Sequence, residues 1–201
     1  MNTLPRRQTP SSAIVLLVVT VVAFFIQVSG LINPTALALW PLEMGFAPWQ
    51  LITYGFLHGG LAHLFLNMFA LYMFGPLIER AWGSRRFLIY YFVCLVGAGL
   101  VQLAVTAMMG APRPTIGASG AMFGLLLAFG MMYPNERILL IFPPIPMKAK
   151  WFVLAYGALT LFFGMTGTMA GVAHFAHLGG MLFGLVLILF WGQRDFQRRR
   201  R

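Results

Sequence analysis

The sequence predicts an all-α membrane protein, a bundle of six transmembrane helices with an interfacial loop between the first and second spans. Three observations lead there. Apolar residues make up 60% of the 201 residues and charged ones only 9%, a balance outside that of a water-soluble domain. The apolar residues gather into long runs, and at roughly 20 residues per helical crossing the chain has room for about six. The charged residues collect at the ends of those runs. The organisation therefore reads as a cytoplasmic segment 1–11, a six-span domain 12–192 and a basic cytoplasmic tail 193–201.

The first run, about 12–32, follows Arg6 and Arg7. Two readings fit it: a retained span, or a signal peptide with Ala36-Leu37-Ala38 as a small-residue cleavage site. The run is longer than a usual signal core, which favours the span. Either reading puts the next segment outside. Between 33 and 57, Pro34, Pro41 and Pro48 interrupt regular helix, while Trp40, Phe46 and Trp49 suit a loop lying at the membrane interface. Further spans follow at about 58–78, 87–108, 117–133, 150–165 and 172–191. The run at 117–133 is short for a full crossing, so its start is expected below the membrane surface. Irregular backbone is tolerated there only when protein or a water-filled cavity surrounds it. Gly164, Gly167 and Gly171 make the last link glycine-rich and uncharged, and it is expected to be mobile.

Charge orients this bundle. If six spans alternate, Arg80, Arg85, Arg86, Arg137, Lys148, Lys150, Arg194 and the arginines of both ends share one side, and of the 14 Lys and Arg only Arg113 lies opposite. The asymmetry puts both termini in the cytoplasm. It also accounts for the net charge of +10 through topology, so a nucleic-acid partner is not expected. The single Cys94 excludes a disulfide framework and reads as a packed thiol.

Ionisable and polar side chains are costly in a bilayer and tend to mark a site. His58, His63 and Asn67 begin the second span, Ser119 begins the fourth, and His174 and His177 begin the sixth. All lie toward the outer ends of their helices. At about 1.5 Å of rise per residue, Ser119 and His177 can reach the same depth. His63 and Asn67, four apart, share a helix face. The fourth span carries Gly117, Gly120 and Gly124, and the sixth carries Gly180 and Gly184. Small residues at this spacing let helix backbones approach closely, which would bring Ser119 to His177.

A serine hydroxyl becomes a nucleophile when an adjacent base takes its proton, and imidazole can do so near neutral pH. Acyl transfer also needs donors aimed at the developing oxyanion. The Ser119 N–H at a helix start, the Asn67 amide and the His63 imidazole can supply them. No carboxylate is expected to orient His177, because Glu43 falls in the outer loop and Glu79, Glu136 and Asp195 on the cytoplasmic side. A Ser-His dyad follows rather than a triad. Metal binding is not expected, since the histidines come with neither an H-E-x-x-H pattern nor an acidic ligand.

At these residues the chain resembles the rhomboid family of intramembrane serine proteases along nearly its whole length. Gly117-Ala118-Ser119-Gly120 is similar to the family's G-x-S-G nucleophile motif, and residues Ala176 to Gly184 are similar to its A-H-x-x-G-x-x-x-G motif. His58, His63 and Asn67 match the family's H-x-x-x-x-H-x-x-x-N. The resemblance implies peptide-bond hydrolysis by Ser119 and His177 without metal or cofactor, acting on transmembrane protein substrates. It also implies a multi-pass protein of a membrane such as the bacterial inner membrane, the segment from Gly164 to Gly171 as a cap over the site, and the fifth span as a lateral gate. Two departures stand out. Many members have Trp-Arg where this chain has Trp49-Gln50, so an anchoring role of the Arg is absent or replaced. Some have a Tyr stacked on the catalytic His where this chain has Phe123, which keeps the ring and loses the hydroxyl. His58 is expected to support the loop, and His174 has no counterpart role and reads as interfacial.

Two other functions compete. A non-catalytic relative that binds membrane clients would share the bundle, but such relatives usually lack the dyad. A transporter could use buried histidines as a proton relay, but the intramembrane carboxylates and paired broken helices that usually accompany one are missing.

Overall fold

The computed structural model describes residues 11–110, 113–139, 144–167 and 173–199, with side chains as far as 192. It is built almost entirely of helices. In chain order they are α1 (Ser12–Val28), α2 (Pro34–Leu37), α3 (Gln50–Thr53), α4 (Leu61–Trp82), α5 (Ser84–Met109), α6 (Ser119–Met132), α7 (Ala149–Thr166) and α8 (His174–Arg199). Between α6 and α7 a two-stranded antiparallel hairpin pairs β1 (Arg137–Leu139) with β2 (Pro146–Lys148), Ile138 opposite Met147. The apolar pattern of the sequence did not reveal this hairpin, since three-residue strands are too short to show a period.

Among the described residues, four helices are long and apolar enough to cross a membrane: α4, α5, α7 and the 174–192 part of α8. The apolar helices α1, with 17 residues, and α6, with 14, are shorter. Several boundaries differ from the sequence expectation: α1 ends at Val28, short of 32, and α4 runs over Leu61–Trp82 rather than 58–78. Ser84, Arg85 and Arg86 join α5 directly after Gly83, whose φ of 80° makes the sharp turn from α4 that a side chain would resist. At the other end, α8 continues through the basic segment to Arg199, because Gln and Arg are good helix formers. The 193–199 part of the tail is thus helical.

The core lies where α5, α6 and α8 meet. Tyr90, Tyr91, Cys94, Leu95 and Ala98 of α5 are fully buried with Ala121, Leu125 and Ala128 of α6, and α8 packs along both helices. The opposite faces are apolar and exposed, as in Phe65 and Leu66 of α4, Phe162 of α7 and Leu189 of α8. A helix in lipid needs no polar outer face.

α1 sits against α4, with Ala13 on the open side of Gly75, and is anchored by a carboxylate. Glu79 near the end of α4 accepts the Ser12 N–H at 2.8 Å, the Ala13 N–H at 3.0 Å and the Ser84 hydroxyl at 2.6 Å, and it also accepts the Ser11 hydroxyl. The first N–H groups of a helix have no partner within it, and a carboxylate there is favoured by the helix dipole as well.

The segment between α1 and α4 is broken into short helical turns, as its prolines require. Trp40 Nε1 donates to the Thr35 carbonyl at 2.7 Å and Trp49 Nε1 to that of Ala36 at 3.1 Å. Gln50 is buried at its centre: it accepts the Trp40 N–H at 3.1 Å and donates to the Gly45 carbonyl at 3.3 Å. In this chain the amide of Gln50 ties that loop together.

Candidate active site

Ser119 is the first residue of α6, and the segment before it is pinned from two sides. Thr115 and Leu39 exchange backbone hydrogen bonds of 3.0 and 2.9 Å, and the Gly117 N–H donates to the Tyr54 carbonyl at 2.9 Å. Tyr54 is in turn fixed to α5 by its hydroxyl, which donates to the Leu95 carbonyl at 2.7 Å. At Gly117 the backbone has φ of 118°, a region L side chains rarely adopt. A Cβ there would also fall 2.7 Å from Cε1 and Nε2 of His63. Glycine at this position lets an imidazole edge lie directly on the backbone two residues before the serine.

His177 enters from α8. Its Nε2 lies 2.8 Å from Ser119 Oγ, and both residues are partly exposed. The glycine faces explain how two helices bring these side chains together. A Cβ at Gly180 would run into the carbonyl of Gly120, one at Gly124 would come to 3.3 Å of the Gly180 carbonyl, and one at Gly120 to 3.3 Å of the Ala176 carbonyl. Gly184 does something else: it receives the Tyr90 hydroxyl and Cys94 of α5. The glycines of α8 therefore serve two neighbours, α6 through Gly180 and α5 through Gly184.

Phe123, one turn after Ser119, stacks on His177 with centroids 4.2 Å apart and planes 11° from parallel. The stack continues outward. Tyr156 of α7 lies 4.9 Å beyond Phe123 at 12°, and Phe152 lies 5.5 Å beyond Tyr156 at 13°. Four rings, the imidazole included, thus run in one stack from α8 to α7. Such offset contacts are worth roughly 0.5–1.5 kcal/mol each beyond their burial.

His63 and Asn67 share one face of α4, as their spacing required. Asn67 is buried, and its amide Nδ2 donates to the His63 carbonyl at 2.8 Å. His63 Nδ1 accepts the Gly59 N–H at 3.3 Å. His58 precedes α4 and is 1% exposed; its ring meets that of His63 edge-on at 5.0 Å. His174, expected to be interfacial, is instead buried, and its ring lies 5.8 Å from that of Phe163 and 6.2 Å from that of His177. It sits there because Gly164 of α7 leaves room for it, a Cβ at that glycine coming to 3.2 Å of the His174 Cβ. The rest of the expected cap, 168–171, lies outside the described residues.

Two participants carried little signal in the sequence. Tyr156 is one aromatic among many on an exposed helix face, and only tertiary packing reveals its stack. Gln27 is one of several polar residues in a largely apolar run, and its type gives no hint of its partner. Its amide bridges α1 to the peptide groups of His58, donating to the carbonyl at 2.9 Å and accepting the N–H at 3.0 Å. Among the described residues no cluster of His, Cys, Asp and Glu is arranged to hold a metal ion.

Known proteins are similar to this chain in sequence. The rhomboid domain model matches residues 45–194. Rhomboid protein 1 of Saccharomyces cerevisiae mitochondria is 31% identical over 76% of this chain and 44% of its own length. Rhomboid protease GluP of Bacillus subtilis is 30% identical over 68% of this chain and 24% of its own. YdcA of the same bacterium is 31% identical over 75% of this chain and 70% of its own. The chain spans less than half the length of the yeast protein and of GluP. Mitochondrial and bacterial relatives both appear, so the likeness points to a membrane and does not choose its compartment. With the family's domain running through every helix from α4 to α8, this chain belongs to the rhomboid family.

Proposed function

We propose that this chain is a serine endopeptidase that cuts peptide bonds in or beside the transmembrane segments of other membrane proteins. The observation that carries the reading is the 2.8 Å approach of His177 Nε2 to Ser119 Oγ in a protein of the rhomboid family, which includes proteases. In this reading α1, α4, α5, α6, α7 and α8 are the six spans, the 33–57 segment rests at the outer interface, and both termini lie in the cytoplasm.

The proposed chemistry uses these groups in turn. Ser119 donates its hydroxyl proton to Nε2 of neutral His177 as Oγ attacks the scissile carbonyl carbon. Negative charge passes to the carbonyl oxygen, where the Ser119 N–H at the start of α6, the His63 imidazole and the second N–H of the Asn67 amide act as donors. The imidazolium then protonates the departing amine, the C–N bond breaks, and an acyl-Ser119 ester remains. A water molecule, deprotonated by His177, attacks that ester and releases the carboxylic acid with Ser119 restored. Phe123 holds the imidazole plane throughout, and no metal or cofactor is required.

The test is cleavage of a model single-span substrate in proteoliposomes, followed by gel analysis and N-terminal sequencing of the product. Wild-type protein should cut it, and Ser119→Ala should reduce the rate by at least about 10³-fold. Equal cutting by Ser119→Ala rejects the assignment. No cutting by folded wild type, together with retained binding of the substrate, points instead to a client-binding role.

A further inference from the structure

We infer that Gln27, on α1, is a positioning residue that sets the tautomer of His63 and so aims an N–H at the oxyanion. The inference rests on the protease reading for the purpose of that N–H, but the hydrogen bonds that carry it stand apart from any activity. The Gln27 amide grips one residue from both sides, donating from Nε2 to the His58 carbonyl at 2.9 Å and accepting the His58 N–H on Oε1 at 3.0 Å. A primary amide used this way replaces the backbone partner that a strand or helix would have supplied. The stretch it grips has no regular structure, runs directly into Gly59 and Gly60, and leads into α4.

The peptide group whose carbonyl Gln27 holds, the one joining His58 to Gly59, is the one that matters. The Gly59 N–H donates to His63 Nδ1 at 3.3 Å, so Nδ1 must present a lone pair. A neutral imidazole has one proton to place, and with Nδ1 accepting, that proton sits on Nε2. Nε2 and Cε1 are the edge that lies against Gly117, two residues before Ser119. The path is therefore continuous: Gln27 holds the His58 carbonyl, the planar peptide fixes the Gly59 N–H on its other side, that N–H selects the tautomer, and the tautomer turns a donor toward the reacting serine. If Gln27 only tied α1 to the bundle, its loss would lower stability and leave the imidazole unchanged.

The experiment is nitrogen NMR of the full chain, labelled with ¹⁵N-histidine, in detergent micelles, with His63 assigned by its loss in His63→Phe. Wild type should show His63 with a bare Nδ1 and a protonated Nε2. Gln27→Leu should move the His63 signals toward a tautomer mixture and lower kcat for the model substrate on the order of tenfold with KM little changed. That loss is smaller than the roughly 10²–10³-fold cost of deleting an oxyanion donor outright. Thr20→Val, which removes a buried hydroxyl bonded to the Leu16 carbonyl on the same helix, should leave both readouts unchanged and controls for damage to α1. Should Gln27→Leu not fold, Gln27→Glu keeps the acceptor for the His58 N–H, loses the donor, and is expected to shift the signals partway. A protonated Nδ1 in wild type, or His63 signals unmoved by either Gln27 substitution, overturns the inference. A tautomer shift in a protein that cuts no substrate upholds the role of Gln27 and rejects the protease reading instead.

Discussion

Ser119 and His177 meet where the glycine faces of α6 and α8 cross closely, and two neighbouring residues shape the site around them. Gly117 adopts a φ of 118° and leaves its face to His63, while Phe123 stacks its ring on the imidazole of His177. Gly117→Ala meets both obstacles at once, a backbone conformation costing about 1–3 kcal/mol and a collision 2.7 Å from the His63 ring. Cleavage of a single-span substrate should fall by about 10²-fold, since displacing a catalytic group by about 1 Å has that effect. Thermal unfolding in detergent, run in parallel, separates lost geometry from lost fold; an active Gly117→Ala would mean that His63 is not held where the site needs it. At this scale the sequence was most informative. Ser119, His177, His63, Asn67 and the glycines carry their chemistry in residue type and spacing. Gln27 and Tyr156 do not, because a hydrogen bond or stacked ring from another helix leaves no local pattern.

Among the elements, α8 is the keel, with Gly180 admitting the backbone of α6 and Gly184 the Tyr90 hydroxyl of α5. The close crossing of α6 and α8 was legible from small residues four apart, but not which neighbour each glycine serves, since spacing alone does not set a helix's rotation. α1 depends on a different device. The Glu79 carboxylate binds the Ser12 and Ala13 N–H groups and the Ser84 hydroxyl, joining the start of α1 to the junction of α4 and α5. Glu79→Ala strips the cap and leaves those donors to find other partners, which should cost about 2 kcal/mol. An unfolding titration in mixed micelles reads this as a lower midpoint, with Glu79→Gln intermediate because an amide oxygen still accepts. An unchanged midpoint in Glu79→Ala would show that α1 is held by apolar packing alone. The charge asymmetry had put Glu79 at the cytoplasmic end of its span, but its use as a cap for another helix depends on a contact 66 residues distant, beyond any reading of local sequence.

At the scale of the whole molecule, apolar runs and charge were enough to foresee a helical membrane bundle, and the family agrees with it. Length made the difference for α1 and α6, which fall short of the other helices, so the six-span topology calls for its own measurement. Cys94 is buried, leaving wild type as a quiet background for thiol labelling in sealed vesicles or cells. An impermeant maleimide added outside should label Arg113→Cys and spare cysteines introduced near Arg85 and in the 193–199 segment; labelling from the same side at all three would break the alternation. The central claim, however, is that His177 makes Ser119 a nucleophile, and a fluorophosphonate probe followed by peptide mass spectrometry addresses it most directly. Folded wild-type protein in detergent should carry the phosphonyl group on Ser119, with labelling abolished in Ser119→Ala and reduced by at least about 10²-fold in His177→Ala. An adduct on another residue, or labelling of Ser119 undiminished by His177→Ala, would contradict the account.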